Sequence, residues 1–302
     1  MKKKYRYILF IILISFTNLN AWSEKINLVT DQFWNTMLEA ELYRNPLDKF
    51  IRDTKEVLRF ISSEKLSIEG ERISRYIAEA VGDVSDFELI KQIIGETEGI
   101  IILSPLYAIY GCELAEIFSE RFFIIPCLRP PSECSAGNIA FFVFDYTAAC
   151  SEAGRWAAGQ HKPVFAIFYT ADELYKQKNK AFLDGWTSQR DVNELDITEF
   201  SKADELSEEL LERYRTMVFE DEGLAAVFAG PYNETVLKRF DGGGTKFLSE
   251  DLQAWQGADF NAAGTVELSP VKILSNIVKS INADNYRNRK TIKAEFFLYD
   301  TE

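Results

Sequence analysis

Runs of apolar residues alternate with amphipathic stretches along most of the chain. The short runs KINLVT, GIIILSP, FFIIPCL, AFFVFDY and KPVFAIFYT each give way to a polar residue or a proline, which predicts buried strands. Between them, FWNTMLEAEL, KEVLRFI, SDFELIKQIIGE, GCELAEIFSE and ACSEAGRWAA have apolar residues at helical spacing. Strands that alternate with helices in this way predict parallel sheets covered by helices on both faces.

The second half of the chain continues the alternation. ELYKQKNKAFLDGW and the amphipathic ADELSEELLERYRTMV are predicted helices, and PVKILSNIVKSI is a helix that begins with proline. EKLSIEGE, the region of DVNELDI, LAAVFAG, TKFLSED, GTVELS and the tail KAEFFLYD are each predicted to hold one strand. About ten strands are many for one doubly wound sheet, so we predict an α/β fold of two lobes of roughly 120 residues.

Residues 1–21 carry a different pattern. Lys2, Lys3, Lys4 and Arg6 precede the apolar run YILFIILISF, and the small residue Ala21 closes the segment. This order of charge, apolar run and small residue is typical of a cleavable secretory signal peptide. The run is short for a membrane span of about 20 residues, although an uncleaved anchor is the alternative. We therefore expect a periplasmic protein, secreted through residues 1–21.

The composition limits the partners. The formal net charge is −13, which argues against nucleic acid and anionic membrane surfaces because both attract positive charge. The chain has one histidine, His161, and no CxxC spacing, so neither a zinc site nor a histidine-based nucleophilic triad is expected. DGGGT, residues 241–245, lacks the Lys-Ser/Thr ending of a phosphate-binding loop and is interpreted as a helix-terminating turn. We expect no cofactor, no metal and no enzymatic activity.

The four cysteines are Cys112, Cys127, Cys134 and Cys150. In an oxidising compartment they can pair, and a bridge from Cys127 to Cys134 would close a short loop around Pro130 and Pro131. Free buried thiols are the alternative. The sequence leaves the two open.

Polar and aromatic residues recur where predicted strands end. The carboxyl ends of parallel strands face one crevice in doubly wound folds, so several such residues indicate a ligand cleft. The set comprises Asp31, Phe33, Trp34, Ser104 to Tyr107, Arg129, Asp145, Thr170, Pro231 to Asn233, Glu250 and Asp251.

From about Ile26 to the C-terminus the order of these motifs resembles the type I periplasmic solute-binding proteins, the ribose- and galactose-binding group to which the sensor cores of LacI-type repressors are related. VFDYTAACSEAGRWAA, KPVFAIFYT with KNKAFLDGW, AAVFAGPYN, KFLSED and TVELSPVKIL carry the likeness. The resemblance implies an α/β fold of two Rossmann-like lobes with parallel sheets joined by three hinge crossovers. The lobes would comprise residues 25–143 plus 268–289 and residues 144–267 plus 290–302.

The resemblance also implies roles for individual residues. Asp145 would meet the ligand at the hinge, and Phe33 and Trp34 would cover the faces of a sugar ring. Arg129 stands where the family often has Asp-Arg, with Leu128 in place of the aspartate, which disfavours a ribose-like ligand. The full expected ligand-binding set is Asp31, Phe33, Trp34, Ser104, Tyr107, Arg129, Asp145, Lys180, Trp186, Asn233, Asp251 and Glu267.

The function expected from the resemblance is capture of a small polar ligand, a sugar or nucleoside, by a monomer that passes it to a membrane permease for ABC-type uptake. The alternative is a periplasmic ligand sensor that docks on a chemoreceptor or receptor kinase. An enzyme in the same cleft is disfavoured because the sequence offers no nucleophile, metal set or acid pair.

Overall fold

The computed structural model describes residues 25–42, 65–78, 85–207, 223–240, 246–250 and 262–299, with residues 209, 212 and 216. Several predictions concern segments outside these residues: the signal segment 1–21, the helix KEVLRFI, most of the helix ADELSEELLERYRTMV, the turn DGGGT, and Asp251. Within the described part of the chain, no helix has the length and apolar character needed to cross a membrane.

Thirteen strands and seven α-helices follow one another in the described residues. The strands are β1 Ile26–Thr30, β2 Lys65–Ile68, β3 Glu71–Ile77, β4 Ile100–Leu103, β5 Phe122–Cys127, β6 Ile139–Asp145, β7 Val164–Tyr169, β8 Asp196–Phe200, β9 Leu224–Phe228, β10 Lys246–Glu250, β11 Ala262–Glu267, β12 Lys290–Lys293 and β13 Glu295–Leu298. The helices are α1 Gln32–Leu42, α2 Asp86–Gly95, α3 Gly111–Ile117, α4 Thr147–Ala158, α5 Glu173–Thr187, α6 Asn233–Phe240 and α7 Pro270–Asn282. In the same part of the chain, four short 3₁₀ turns cover Pro105–Tyr110, Val192–Glu194, Ala203–Glu205 and Gly230–Tyr232.

The strands form two sheets, as the alternating pattern predicts. The described strands of the first are ordered β12-β6-β5-β4-β1-β3-β2, and those of the second β13-β11-β10-β9-β7-β8. Neighbours are parallel except for the pairs β2–β3 and β11–β13. The central strands β1, β4, β7 and β9 are buried almost throughout, as expected of strands covered on both faces. The predicted α/β fold with mostly parallel sheets is confirmed.

Local signals set several helix boundaries. The Ser85 hydroxyl accepts a hydrogen bond from the Glu88 backbone N–H at the start of α2; a serine followed three residues later by glutamate is a sequence signal for this cap. Pro270 occupies the first turn of α7 after the capping Ser269.

Two strands differ from the prediction. EKLSIEGE contributes β2 and the start of β3, because Glu69 and Gly70 both have positive φ and turn the chain back on itself. The strand β12 was not predicted, since in Lys290–Lys293 Ile292 is the one buried side chain and the apolar pattern is weak.

Within the described residues, the chain passes between the sheets at three places. β6 lies in the first sheet, whereas the following α4 packs on α5, β11 and β13 of the second. β11 lies in the second sheet and α7 packs on α1 and β2 of the first. The third passage joins β12 to β13 at Ala294, whose N–H donates to the Asp145 carbonyl at 2.8 Å. We call the two groups of elements the first and the second lobe; residues 290–293, expected in the second, pair in the first sheet.

Helices α4 and α5 approach each other backbone to backbone. A Cβ atom on Gly154 of α4 would lie 2.0 Å from the carbonyl oxygen of Phe182, and one on Gly185 of α5 would lie 2.0 Å from that of Ser151. The glycines therefore allow α5 to lie directly on the helix that follows the first crossover.

The cysteine pairing differs from the expected bridge. Cys134 is bonded to Cys112, with Cα atoms 5.6 Å apart, and not to Cys127. Cys127 ends β5 with its side chain in the apolar core, and Cys150 is buried in α4; neither forms a disulfide. The physical reason is that Cys127 points inward from the strand, whereas Cys112 opens the helix beside the loop that carries Cys134.

Candidate functional site

The carboxyl edge of the first sheet is organised around Asp31, which follows β1. Its Oδ1 accepts a hydrogen bond from the Trp34 backbone N–H at 2.7 Å and caps α1, and its Oδ2 accepts one from the Ser104 hydroxyl at 2.6 Å. Asp31 and Ser104 are both buried. The two predicted residues are thus brought together, and their bonds within the lobe indicate that they position this edge.

The two aromatic residues at the start of α1 have different environments. Phe33 is 57% exposed at the edge that carries Asp31, which leaves its ring available to a ligand. Trp34 is 6% exposed and belongs to the same core cluster as Leu38, one helical turn later. The expectation that Trp34 covers a ligand does not fit this burial, because the helical phase that exposes Phe33 turns Trp34 into the core.

Tyr107 is also a core residue. It is 2% exposed, and its hydroxyl donates to the Ala78 carbonyl at 2.7 Å. This bond fastens the 3₁₀ turn after β4 to the end of β3. Tyr107 is therefore not placed to contact a ligand, contrary to the expectation.

Arg129 lies after β5 and reaches across to the second lobe. Its Nη2 is 3.1 Å from the Oδ1 atom of Asp172, the residue that caps α5. Both side chains are about half exposed. Arg129 is thus at the opening between the lobes.

Asp145 stands at the first crossover, as the sequence predicts for the tip of β6. Its Oδ1 accepts a hydrogen bond from the Thr147 N–H at 2.9 Å, which turns the chain into α4. The next residue, Tyr146, is buried and presents its ring to the second lobe. The crossover therefore places an aromatic face directly against that lobe's polar groups.

Three buried polar side chains gather at the carboxyl edge of the second sheet. The Lys178 ammonium forms an ion pair with the Glu250 carboxylate at the end of β10, and Asn233 Nδ2 lies 3.5 Å from Glu250 Oε1. Asn233 is itself held by the Ala229 N–H, which donates to its Oδ1 at 2.6 Å. The Lys178 Nζ also lies 3.8 Å from the centre of the Tyr146 ring, a cation–π distance. We call Lys178, Glu250, Asn233 and Tyr146 the polar cluster.

Aromatic rings flank the polar cluster. Tyr169 at the end of β7 contacts Tyr175 and Tyr232, with ring centres 5.3 and 5.6 Å away. Gly230, at φ +56°, allows this packing, because a Cβ atom there would lie 2.9 Å from the Tyr175 ring. Charged groups beside tyrosine faces suit a ligand that has hydroxyl groups and an apolar ring face.

Two further predicted residues lie away from this edge. Lys180 is exposed and pairs with Asp184 one turn along α5, at 2.8 Å. Trp186 is fully buried and donates from Nε1 to the Asp191 carbonyl at 3.0 Å. Neither is placed to bind a ligand between the lobes.

Lys178 is the residue that the sequence interpretation missed. Helical spacing is the signal that could have identified it, because Lys178 lies on the same face of α5 as Ala181, Phe182 and Gly185. All three of these residues are buried. A lysine on an apolar face needs an anionic partner, and Glu250 supplies it.

Glu267, at the end of β11, lines a different space. A groove of about 830 Å³ lies beside the hinge between α7, the β2–β3 turn and β13, and of the described residues predicted to bind ligand it includes Glu267 alone. Ion pairs cross it from Lys272 to Glu295 and from Lys279 to Glu69. The Ser275 hydroxyl and the Lys279 ammonium lower the pKa of Glu69. Charged side chains of the groove are thus paired with one another, and the polar cluster is the better candidate for ligand recognition.

Nowhere among the described residues do three or more His, Cys, Asp or Glu side chains gather as a metal site requires. The groups that are present can donate and accept hydrogen bonds, neutralise charge and cover an apolar face. This is the chemistry of binding.

Comparison with known proteins identifies the fold. No protein-family model and no curated protein matches the sequence. An ABC transporter solute-binding protein from Conexibacter woesei has a TM-score of 0.56 at 12% identity, over 92% of this chain and 88% of its own. The chain has the fold of a solute-binding protein. A second such protein, from Aeropyrum pernix, has a TM-score of 0.52 at 13% identity, over 91% of this chain and 76% of its own.

The same fold occurs in a regulator. A protein from Bacillus halodurans described as a transcriptional activator of the comK gene has a TM-score of 0.60 at 13% identity, over 92% of this chain and 91% of its own. The fold expected from the resemblance, that of type I periplasmic binding proteins, is confirmed. At 12 to 13% identity these comparisons show the fold of the chain, and they identify neither its ligand nor its partner.

Proposed function

We propose that the protein is an exported, monomeric solute-binding protein that captures a small polar ligand, a sugar or a nucleoside, between its lobes for ABC-type uptake. The observation that carries the proposal is the polar cluster at the carboxyl edge of the second sheet, beside the first crossover. In doubly wound sheets this edge is where ligands bind. Its role is binding and not catalysis.

Burial explains how such a site selects its ligand. The Lys178 and Glu250 side chains are each 4% exposed, so they are paired with each other out of contact with bulk water. A ligand whose polar groups do not match would disturb the hydrogen bonds of this pair without replacing them, which discriminates strongly. Hinge motion at the three crossovers admits the ligand and then encloses it. Phe33 and the tyrosines beside Tyr169 cover its apolar faces.

A thermal-shift screen of sugars, nucleosides and amino acids tests the proposal. A ligand that binds the folded state raises the melting temperature by mass action, by the equivalent of about 2.7 kcal/mol at one hundred times Kd. Calorimetry then compares the wild type with the double variant Lys178→Met/Glu250→Leu, which removes both charges together. We expect the variant to remain folded and to lose binding of the screened ligand.

Lys180→Gln is the matched control, because it removes an exposed lysine two residues away on the same helix. It should bind like the wild type. Unaltered affinity in the double variant, or no shift with any member of the library, would count against the proposal.

Export rests on the pattern of residues 1–21. We infer cleavage after Ala21, so the protein recovered from the periplasm should begin at Trp22. Intact mass spectrometry measures this directly. A mass that retains Met1 to Ala21 would favour the membrane-anchor alternative.

Delivery and sensing would use the same cleft, and the fold occurs in both a solute-binding protein and a transcriptional activator. Uptake of the identified ligand in cells with and without the gene separates them. Loss of uptake supports delivery to a permease. Unchanged uptake with a lost transcriptional or chemotactic response supports a sensor that docks on a receptor.

A further inference from the structure

The loop from Leu128 to Asn138, between β5 and β6, is fastened to α3 at its C-terminal end. Cys134 is bonded to Cys112 in the first turn of α3, and the Ser135 hydroxyl donates to Glu116 Oε1 at 3.1 Å. Asn138 Nδ2 donates to the backbone carbonyls of Ala115, Phe118 and Arg121, at 2.8 to 3.1 Å. This end of the loop therefore moves with the first lobe. We call the loop the arm.

The other end of the arm reaches the second lobe. Arg129 Nη2 lies 3.1 Å from Asp172 Oδ1, and the same oxygen accepts the Leu174 N–H at 2.7 Å as the cap of α5. The pair joins the loop after β5 to the loop after β7, close to the first crossover, because Cys127 of β5 pairs with Val143, two residues before Asp145. An ion pair placed there adds a side-chain contact between the lobes to the covalent connections of the hinge.

We propose that the arm is a disulfide-anchored latch, which holds the two lobes together through Arg129 and Asp172 and is weakened when Cys112–Cys134 is reduced. An exposed ion pair is stabilising to the extent that its side chains are already held in place. The disulfide and the Asn138 bonds restrict the arm, so Arg129 loses less freedom when it meets Asp172. Reduction removes one of these restraints.

The redox step is a thiol–disulfide exchange. A dithiol gives two electrons and two protons, Cys112 and Cys134 become thiols, and the dithiol becomes a disulfide. Cys127 and Cys150 take no part, because both are buried. The proposal does not depend on the identity of the ligand and is tested without one.

Small-angle X-ray scattering of the ligand-free protein measures the separation of the lobes. Arg129→Gln and Asp172→Asn remove one charge each, and asparagine still caps a helix. Each should increase the radius of gyration, with the ratio of closed to open molecules falling roughly 1.5- to 5-fold, the range for exposed ion pairs. Reduction of the wild type, or Cys112→Ser/Cys134→Ser, should shift the radius in the same direction.

Controls separate the latch from a general loss of structure. Lys180→Gln removes an exposed ion pair within α5 and should leave the radius unchanged. Added salt should open the wild type and leave Arg129→Gln as it is, because the pair it screens is gone. Reductant should have no effect on Cys112→Ser/Cys134→Ser.

Three results would overturn the proposal: an Arg129→Gln variant as compact as the wild type, a reduced protein as compact as the oxidised one, or loss of helix in the circular dichroism spectrum on reduction. The last would assign the disulfide to overall stability. A protein that opens as expected but binds no ligand would support the latch and count against the proposed function alone.

Discussion

Lys178 and Glu250 form an ion pair inside the second lobe, with each side chain 4% exposed. Removing two charges from water is costly, and their attraction offsets that cost only when the geometry and the other hydrogen bonds are good. An apolar pair of similar size would fill the space with equal or greater stability. The pair is therefore better explained by recognition of a polar ligand than by stability.

This relationship predicts a non-additive response to mutation. Lys178→Met or Glu250→Leu alone leaves a buried charge without its partner and should lower the free energy of unfolding by about 3–5 kcal/mol. The double variant should be close to the wild type in stability, and the proposed function predicts that it loses ligand binding. Urea denaturation of the two single variants and the double variant, compared with the wild type, measures this double-mutant cycle. Lys180→Met, which breaks an exposed pair, should cost under about 1 kcal/mol; additive losses in the double variant would contradict this interpretation.

Phe33 and Trp34 should separate binding from stability. Trp34→Ala removes a buried ring and should destabilise the fold by about 3–5 kcal/mol. Phe33→Ala changes an exposed residue and should leave stability within about 0.5 kcal/mol while it weakens ligand affinity. Thermal denaturation and calorimetry on both variants decide this. A Trp34→Ala variant that keeps its stability and loses ligand binding would show instead that Trp34 lies in the cleft.

Cys127 should be chemically inert in the folded protein. Burial raises the pKa of its thiol to about 11, with a smaller opposing effect of Arg289. At pH 8 only about one molecule in a thousand would carry the reactive thiolate. Iodoacetamide labelling followed by peptide mass spectrometry should modify Cys127 only after denaturation. Rapid labelling of the native protein at pH 8 would contradict the buried position.

The same pKa predicts a loss of stability in alkali. The folded thiol holds its proton more tightly than the unfolded one, so this contribution is complete below pH 9.0 and is lost as the pH rises towards about 11. Cys127→Ala should flatten the pH dependence of the free energy of unfolding in that window. An unchanged slope between wild type and variant would show that Cys127 does not cause it.

The fold was predictable because its signals are local. Buried runs such as Ile100–Leu103 and caps such as Ser85 depend on neighbours in sequence, and both are where the pattern places them. The strands β3 and β12 were not predicted, because Glu71–Ile77 is rich in polar residues and Lys290–Lys293 is both short and polar. Pairing of Cys134 with Cys112 depends on which side of β5 Cys127 faces, which spacing along the chain does not record.

The site was predictable as an edge, and less so as a set of side chains. Asp31, Ser104, Asp145 and Asn233 lie at strand ends, as expected. Trp34, Tyr107 and Trp186 were assigned to the ligand from the family resemblance or from their position after a predicted strand, and the helical phase or a backbone acceptor holds each of them in a core. Lys178 was two positions from the residue chosen, on the opposite face of α5.

The last prediction concerns the contact between α4 and α5. The Gly154→Ala substitution would place a methyl group 2.0 Å from the Phe182 carbonyl oxygen, so the two helices must move apart. Overpacking of this kind costs about 1–3 kcal/mol, and occasionally more. Because Lys178 lies on α5, the displacement should also move its ammonium relative to Glu250 and lower ligand affinity.

Gly185→Ala, the reciprocal change against Ser151, should have the same two effects. Gly137→Ala, with no atom within 4 Å of the added carbon, is the control and should change neither stability nor affinity. A Gly154→Ala variant as stable as Gly137→Ala in urea denaturation would contradict the close approach of the two helices and the placement of Lys178 that depends on it.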